Sequence, residues 1–188
     1  MSVSRAPSVL ATAFGLALAA AVSLGLARFS YALLLPPMRA DLDWSYLTAG
    51  AMNTANAAGY LAGALLAPGW LARHDARRVM LAGGFATAVL LMAHGWALGD
   101  AALYLLRLLT GVGSAATFVA GGLLAARLSQ TGTAAARSVS SGLVLGLYYG
   151  GTGLGIIASA LLVPPLAARA TPHGWQAGWG AVRAVALP

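Results

Sequence analysis

Long runs of apolar residues, separated by short polar connections, dominate the sequence. A helix needs about 20 mostly apolar residues to cross a bilayer, and five runs are about that long. We therefore predict five membrane-spanning helices, at residues 9–35, 46–66, 79–97, 101–126 and 139–163. Prolines are expected to end the first, second and fifth. Residues 174–188 predict the start of a sixth helix, which makes residues 1–188 an all-α polytopic membrane protein.

Composition supports a chain surrounded by lipid. Hydrophobic residues make up 60% of the sequence and charged residues only 8%, whereas soluble domains carry about 25% charged residues. The net charge of +7 comes from arginines that are scattered or lie between the apolar runs. Because no basic stripe with interleaved aromatic residues is present, we do not expect nucleic acid as a partner. We expect the charge to set membrane orientation and to contact lipid headgroups.

The distribution of arginine predicts that the N-terminus is cytoplasmic. In that orientation the inside segments hold six arginines and the outside segments hold two, as the positive-inside rule requires. The inside set is Arg5, Arg73, Arg77, Arg78, Arg127 and Arg137, and the outside set is Arg39 and Arg169.

Three stretches of sequence resemble a known family. The loop after the second predicted helix contains Gly69, Leu71, Asp75, Arg77 and Arg78. The fourth helix reads Arg107-Leu108-Leu109-Thr110-Gly111-Val112-Gly113, and the first contains residues 25–38, Gly-Leu-Ala-Arg-Phe-Ser-Tyr-Ala-Leu-Leu-Leu-Pro-Pro-Met. Together they resemble the major facilitator superfamily of secondary transporters, and most closely a largely uncharacterised bacterial branch of it.

The resemblance implies a fold of twelve helices in two six-helix halves, located in the bacterial cytoplasmic (inner) membrane. Residues 1–188 would form an incomplete N-terminal half, and we expect a fragment, a truncated product or an assembly of two copies. The missing C-terminal half or a second copy is therefore an expected partner. The resemblance also implies a gating loop at Gly69, Asp75, Arg77 and Arg78, although Arg73 stands at the acidic position of the family pattern.

Two arginines, Arg28 and Arg107, lie inside predicted helices, where a charge costs about 2.5–3.5 kcal/mol on insertion scales. No Asp or Glu lies in any of the five spans. An anionic substrate or an acidic residue of the second half could balance these charges. The alternative is that the arginines extend to lipid headgroups or bind backbone carbonyls.

The second predicted helix also contains polar residues within its apolar run. Asn53, Asn56 and Tyr60 are spaced i, i+3 and i+7, so they share a face. At 1.5 Å per residue, Arg28 lies about 12 Å, Arg107 about 9 Å and Asn53 about 10 Å from the outer ends of their predicted helices. We therefore predict a hydrated substrate cavity lined by Arg28, Asn53, Asn56 and Arg107. The alternative is that Asn53 and Asn56 only bridge helices.

Glycines inside the spans predict close helix contacts. The fifth span contains Gly142, Gly146, Gly150, Gly151 and Gly155, and the second contains Gly59 and Gly63. Small residues at this spacing let helix backbones approach each other in lipid. They form either a fixed packing seam or a smooth surface on which helices move during transport.

Other function classes have weaker support. The chain has no cysteine, its four aspartates fall in predicted loops, and His74, His94 and His173 lack metal-ligand spacing and are expected at the surface. We therefore predict no enzyme activity, metal or cofactor. The predicted function is secondary transport of a small solute, with an anion favoured, driven by an ion or solute gradient because no nucleotide-binding motif is present. A coupling ion is then a further expected partner. The alternative is a truncated or accessory structural membrane protein without transport activity.

Overall fold

Five long helices make up most of the structure, a computed structural model that describes residues 8–97, 99–130, 140–167 and 173–179. They are α1 (Val9–Asp41), α2 (Tyr46–Arg73), α3 (Ala76–His94), α4 (Asp100–Gln130) and α5 (Ser141–Ala167). Residues 175–179 add a short helical turn, and no strand occurs in these ranges. The all-α prediction is confirmed.

Four of the five helices are long and apolar enough to cross a membrane. The exception among the described helices is α2, which carries Asn53 and Asn56. With 28 residues it is about 42 Å long, so its length alone suffices for a span. The structure thus describes a multi-pass membrane protein with at least four candidate spans.

Three helices continue through prolines that were expected to end them. Pro36 and Pro37 lie inside α1, Pro68 lies inside α2, and Pro164 and Pro165 lie inside α5. A proline removes one backbone donor, but the other bonds of the helix remain. Beyond the first pair, for example, the amide of Leu42 still donates to the carbonyl of Met38 at 2.9 Å.

The remaining boundaries also differ from the prediction. Helix α3 begins at Ala76 and ends at His94, three residues before each predicted limit, and α4 extends four residues beyond residue 126. The predicted start of the fifth span at residue 139 lies outside the described residues, as does most of the predicted sixth helix, at residues 180–188.

Side-chain caps define the starts of α1, α2 and α3. The hydroxyl of Ser8 accepts from the amide of Ala11 at 3.2 Å, and that of Ser45 accepts from the amide of Thr48 at 3.0 Å. The carboxylate of Asp75 accepts from the amide of Arg77 at 2.9 Å. Each bond satisfies one of the backbone donors that a helix start leaves free.

Helix α4 lies at the centre of the bundle, with α2 and α3 packed against it. A Cβ atom added to Gly63 of α2 would lie 2.7 Å from the carbonyl oxygen of Val112 on α4. One added to Gly83 of α3 would lie 2.7 Å from the hydroxyl of Thr117. These glycines therefore permit backbone contacts that any larger residue would prevent.

A second close contact joins α1 to α5. A Cβ atom on Gly25 would lie 2.5 Å from the Cα of Gly155, and Gly151 touches the backbone of Ala17. At Gly142, Gly146 and Gly150, a Cβ would meet no described atom within 4 Å. The predicted packing seam therefore holds for Gly151 and Gly155, whereas the other three glycines face away from the described bundle.

Two aspartates tie together the connections at one end of the bundle. Asp41, the last residue of α1, accepts hydrogen bonds from the ring Nδ1 of His173 and the indole of Trp175, both at 2.6 Å. Asp100, the first residue of α4, accepts from the indole of Trp44 at 2.7 Å. These bonds attach residues 173–175 to α1 and the α1–α2 connection to α4.

The two sets of glycines on α5 should respond differently to an added methyl group. We expect Gly155→Ala to lower the free energy of unfolding by about 1–3 kcal/mol, because the new Cβ overlaps the backbone of Ala21. Gly146→Ala is the matched control, and it should leave stability unchanged or raise it through helix propensity. Thermal unfolding of the purified proteins in detergent measures both, and equal midpoints would contradict the α1–α5 contact.

Candidate functional site

The middle of α1 contains a π-helical segment at Ala21–Leu26. A π turn holds more residues per turn than an α-helix, and such turns occur frequently at functional sites. Within this segment Ser23 is buried and Gly25 packs on α5. Arg28 lies two residues after the end of the π-helical segment. The π turn therefore sets the direction in which the side chain of Arg28 projects from the helix.

A small pocket of about 80 Å³ opens between α1, α2 and α4. It contains two of the four predicted site residues, Arg28 and Asn56. Its full lining is Ser23, Leu24, Arg28, Asn56, Ala57, Tyr60 and Ser114. Asn53 is exposed and Arg107 is buried, and neither lines the pocket.

Arg107 is completely buried beside the pocket. Its Nη1 donates to the carbonyl oxygen of Ala27 at 3.3 Å, and its guanidinium carbon lies 4.0 Å from the ring centroid of Tyr31. Its Nε and Nη2 have no hydrogen-bond partner among the described residues. The predicted alternative of carbonyl bonding is thus partly correct, but it leaves two donors unsatisfied.

No carboxylate compensates this charge in the described part of the chain. All four aspartates are described, and the one ion pair they form there joins Asp41 to His173. The interaction with the Tyr31 ring is favourable, since a cation over an aromatic face is attracted by about 0.5–2 kcal/mol.

Asn56 connects α2 to α4. Its side-chain Nδ2 donates to the backbone carbonyl of Arg107 at 2.9 Å. Asn56 therefore bridges two helices and also lines the pocket, so whether it only bridges them, as the alternative holds, stays untested. Asn53, three residues earlier, is exposed, and its side chain makes no hydrogen bond to a described residue.

Helix α4 presents further polar groups that were not among the predicted site residues. The hydroxyl oxygens of Thr110 and Ser114 are buried and have no partner among the described residues. With Arg107 they are spaced i, i+3 and i+7, which places all three on one face of α4. That spacing in an otherwise apolar helix was the signal available in the sequence.

Arg28 lies farther from the end of its helix than the predicted helix boundary suggested. Because α1 continues to Asp41, Arg28 is thirteen residues, or about 20 Å, from the end of the helix rather than about 12 Å. It is exposed at the pocket, and no hydrogen bond or ion pair to a described residue satisfies it.

Comparison with known proteins now identifies the family. A sequence model of the family described as uncharacterised MFS-type transporter YbfB matches residues 20–187. The chain belongs to the major facilitator superfamily. A comparison with curated proteins found no match to it. Membership in this superfamily indicates a membrane transporter rather than an enzyme.

The loop of this major facilitator protein that resembles the gating signature is very short, since only His74 and Asp75 separate α2 from α3. Gly69 lies inside α2, and Arg77 and Arg78 are exposed in the first turn of α3. The carboxylate of Asp75 caps α3 and forms no ion pair with a described arginine. Gating by these residues stays a prediction.

The prediction for His94 of the major facilitator protein is wrong. It was predicted at the surface, but it is completely buried, with Nδ1 2.7 Å from the carbonyl oxygen of Leu90. Its ring stacks on Trp179 at 4.6 Å between centroids. His173 is exposed, as predicted, and the described residues contain no cluster that could hold a metal ion.

The two asparagines of α2 provide a matched test of the contact between α2 and α4. We expect Asn56→Ala to lower the free energy of unfolding by about 0.6–2 kcal/mol, the range for interhelical hydrogen bonds in membrane proteins. Asn53→Ala should have no measurable effect, because its side chain is exposed. Thermal unfolding in detergent distinguishes them, and a larger loss for Asn53→Ala would contradict this arrangement of α2 and α4.

Proposed function

We propose that this protein forms part of a secondary active transporter for a small anionic solute, driven by an ion or solute gradient. The observation that carries this proposal is the buried guanidinium of Arg107, which has two unsatisfied N–H nitrogens and no carboxylate partner among the described residues. Arg28, exposed at the adjacent pocket, supplies a second positive charge.

The chemistry of the pocket favours a carboxylate or phosphate. Arginine binds these groups through paired N–H donors in a fixed plane, and charge-assisted bonds are about twice as strong as neutral ones. Asn56, Tyr60 and Ser114 would add neutral hydrogen-bonding groups around the solute. We propose that Arg28 makes the first contact and that Arg107 strengthens it through its field and its free donors.

The pocket is too small to enclose a solute by itself. Its volume of about 80 Å³ compares with about 300–1,000 Å³ for typical ligand sites. We propose that the remaining wall comes from a second six-helix half or a second copy of the chain, which would also bring Asn53 into the cavity. The open glycines Gly142, Gly146 and Gly150 support this, since they offer a smooth face on which another helix could move.

We further propose that the protein lies in the bacterial cytoplasmic membrane with its N-terminus inside, and that the segment containing Gly69, Asp75, Arg77 and Arg78 acts as a cytoplasmic gate. The support is the family resemblance and the exposure of the two arginines. The cap that Asp75 provides to α3 would make the start of that helix sensitive to movement of the loop.

Ligand-induced stabilisation tests the anion site. Small carboxylates and organophosphates, with neutral and cationic analogues, are added to the purified protein, and its unfolding temperature is measured. We expect one or more anions to raise it. We expect Arg28→Gln to weaken binding about tenfold to hundredfold, because it removes a charge-assisted bond at the pocket. Arg107→Gln should weaken binding less, because Arg107 is buried beside the pocket and acts on the solute through its positive charge. Arg127→Gln, at the end of α4, is the matched control and should bind normally.

Two results would contradict the proposal. One is stabilisation by neutral solutes alone, and the other is unchanged anion binding in Arg28→Gln, a variant at an exposed position that should fold normally. Uptake of a binding anion into proteoliposomes then separates transport from the alternative, an accessory membrane protein. Binding without uptake, when the second half or second copy is also present, would favour the accessory role.

Orientation can be tested directly because the chain contains no cysteine. We expect a membrane-impermeant thiol reagent to label Ala40→Cys in intact cells, since the end of α1 should face outward. His74→Cys, between α2 and α3, should be labelled only after the membrane is permeabilised. The reverse pattern would show that the N-terminus is outside.

A further inference from the structure

A second, larger cavity lies on the side of the bundle away from the pocket described above. It is a groove of about 570 Å³ lined mainly by α3 and α4, with Trp70 of α2 and His74 at one end. Most of its lining is apolar and small, including Ala82, Ala86 and Leu90 of α3 and Val112 and Ala116 of α4. None of its lining residues belongs to the Arg28 pocket, and its volume is typical of a ligand site.

The groove opens where the protein faces the hydrocarbon of the bilayer. Helix α3 is a candidate membrane span, and Leu81, Phe85 and Val89, each next to a groove residue, are exposed by 56%, 67% and 37%. An apolar surface of this kind is stable only in contact with apolar neighbours. The occupant along the length of the groove must therefore be apolar.

One end of the groove is different, because Trp70, His74 and Arg78 line it. Arg73 and Arg77 are exposed nearby in the chain. The only carboxylate of this segment, on Asp75, caps α3 and forms no described ion pair with these arginines. This end therefore carries uncompensated positive charge beside a tryptophan, a residue that favours the membrane–water interface.

The length of the groove matches one leaflet of a bilayer. Arg78 and Leu90 are twelve residues apart on α3, which corresponds to about 18 Å along the helix. Half of a hydrocarbon core of about 30 Å is about 15 Å. A lipid whose phosphate lies at Arg78 would thus place its acyl chain along Ala82 and Ala86 and end it near Leu90.

We propose that this groove binds one anionic phospholipid, with its acyl chain along α3 and α4 and its headgroup phosphate at Arg78. The charge of the groove end selects the anionic headgroup, and the small side chains make room for the chain. This site depends on the location of the protein in a membrane and is independent of whether the Arg28 pocket transports an anion.

Native mass spectrometry of the whole chain in a non-ionic detergent tests the proposal. The delipidated protein is titrated with dioleoylphosphatidylglycerol or with dioleoylphosphatidylcholine, which has the same acyl chains and no net charge. We expect the first phosphatidylglycerol to bind at least about fivefold more tightly, the attraction that one arginine near a membrane surface supplies. Arg78→Gln should remove that preference, because it weakens phosphatidylglycerol binding more than phosphatidylcholine binding, whose headgroup carries the same phosphate but no net charge.

A second variant tests the acyl-chain part of the site. Ala86 is exposed in the groove, so Ala86→Phe should fold normally and weaken binding of both lipids at least about fivefold. The matched controls are Arg127→Gln for charge and Ala160→Phe, at an exposed position of α5, for size. Both controls should bind lipid like the wild-type protein.

Several results would overturn the proposal. Equal affinity for the two lipids would remove the anionic selectivity, and normal binding by Ala86→Phe would exclude the groove. Loss of the lipid adduct in excess inorganic phosphate would indicate a site for the free anion. A dimer that Ala86→Phe disrupts, with lipid binding unchanged, would assign the groove to a second copy of the chain.

Discussion

The backbones of α2 and α4 touch each other where Gly111 meets the carbonyl of Asn56 and Gly63 meets Val112. Apolar side chains gain little from leaving lipid for the interior of a membrane protein, so dispersion contacts and interhelical hydrogen bonds must hold the helices together. Both require short distances between backbones. The glycines of α4 and of its neighbours provide them, and the hydrogen bond from Asn56 to Arg107 is possible because the helices are so close.

The same close packing explains why Arg107 is buried without an acidic partner among the described residues. Its guanidinium lies between α4 and α1, where the Tyr31 ring and the carbonyl of Ala27 are the groups within reach. An ion buried with incomplete compensation costs several kcal/mol, and bundles retain such groups chiefly where a ligand or a conformational change requires them. The hydroxyls of Thr110 and Ser114, which have no partner in the described part of the chain, lie on the same face of α4 and extend this polar region toward Arg28.

The sequence predicted the helical class, the family and two of the pocket residues, because apolar run length and the three motifs are local signals. It did not predict that α1 continues through Pro36 and Pro37, since whether a helix tolerates lost donors depends on its neighbours. Nor could spacing alone show that Asn56 is buried against α4 whereas Asn53 is exposed. His94 was placed at the surface because it falls at a helix end, and its stacking partner, Trp179, lies 85 positions later, where local sequence gives no signal of the contact.

The π turn of α1 has a consequence for how this helix is compared with others. The residues of α1 that meet α5 are Ala17, Ala21, Gly25 and Ser30, with Gly151, Gly155 and Ser159 opposite them. On α5 the interval is always four residues, but on α1 the last interval is five. The π turn thus acts as a one-residue insertion inside a membrane helix. At 3.6 residues per turn, an alignment without that gap would rotate everything after Leu26 by about 100° and assign Arg28 to the wrong side of the helix.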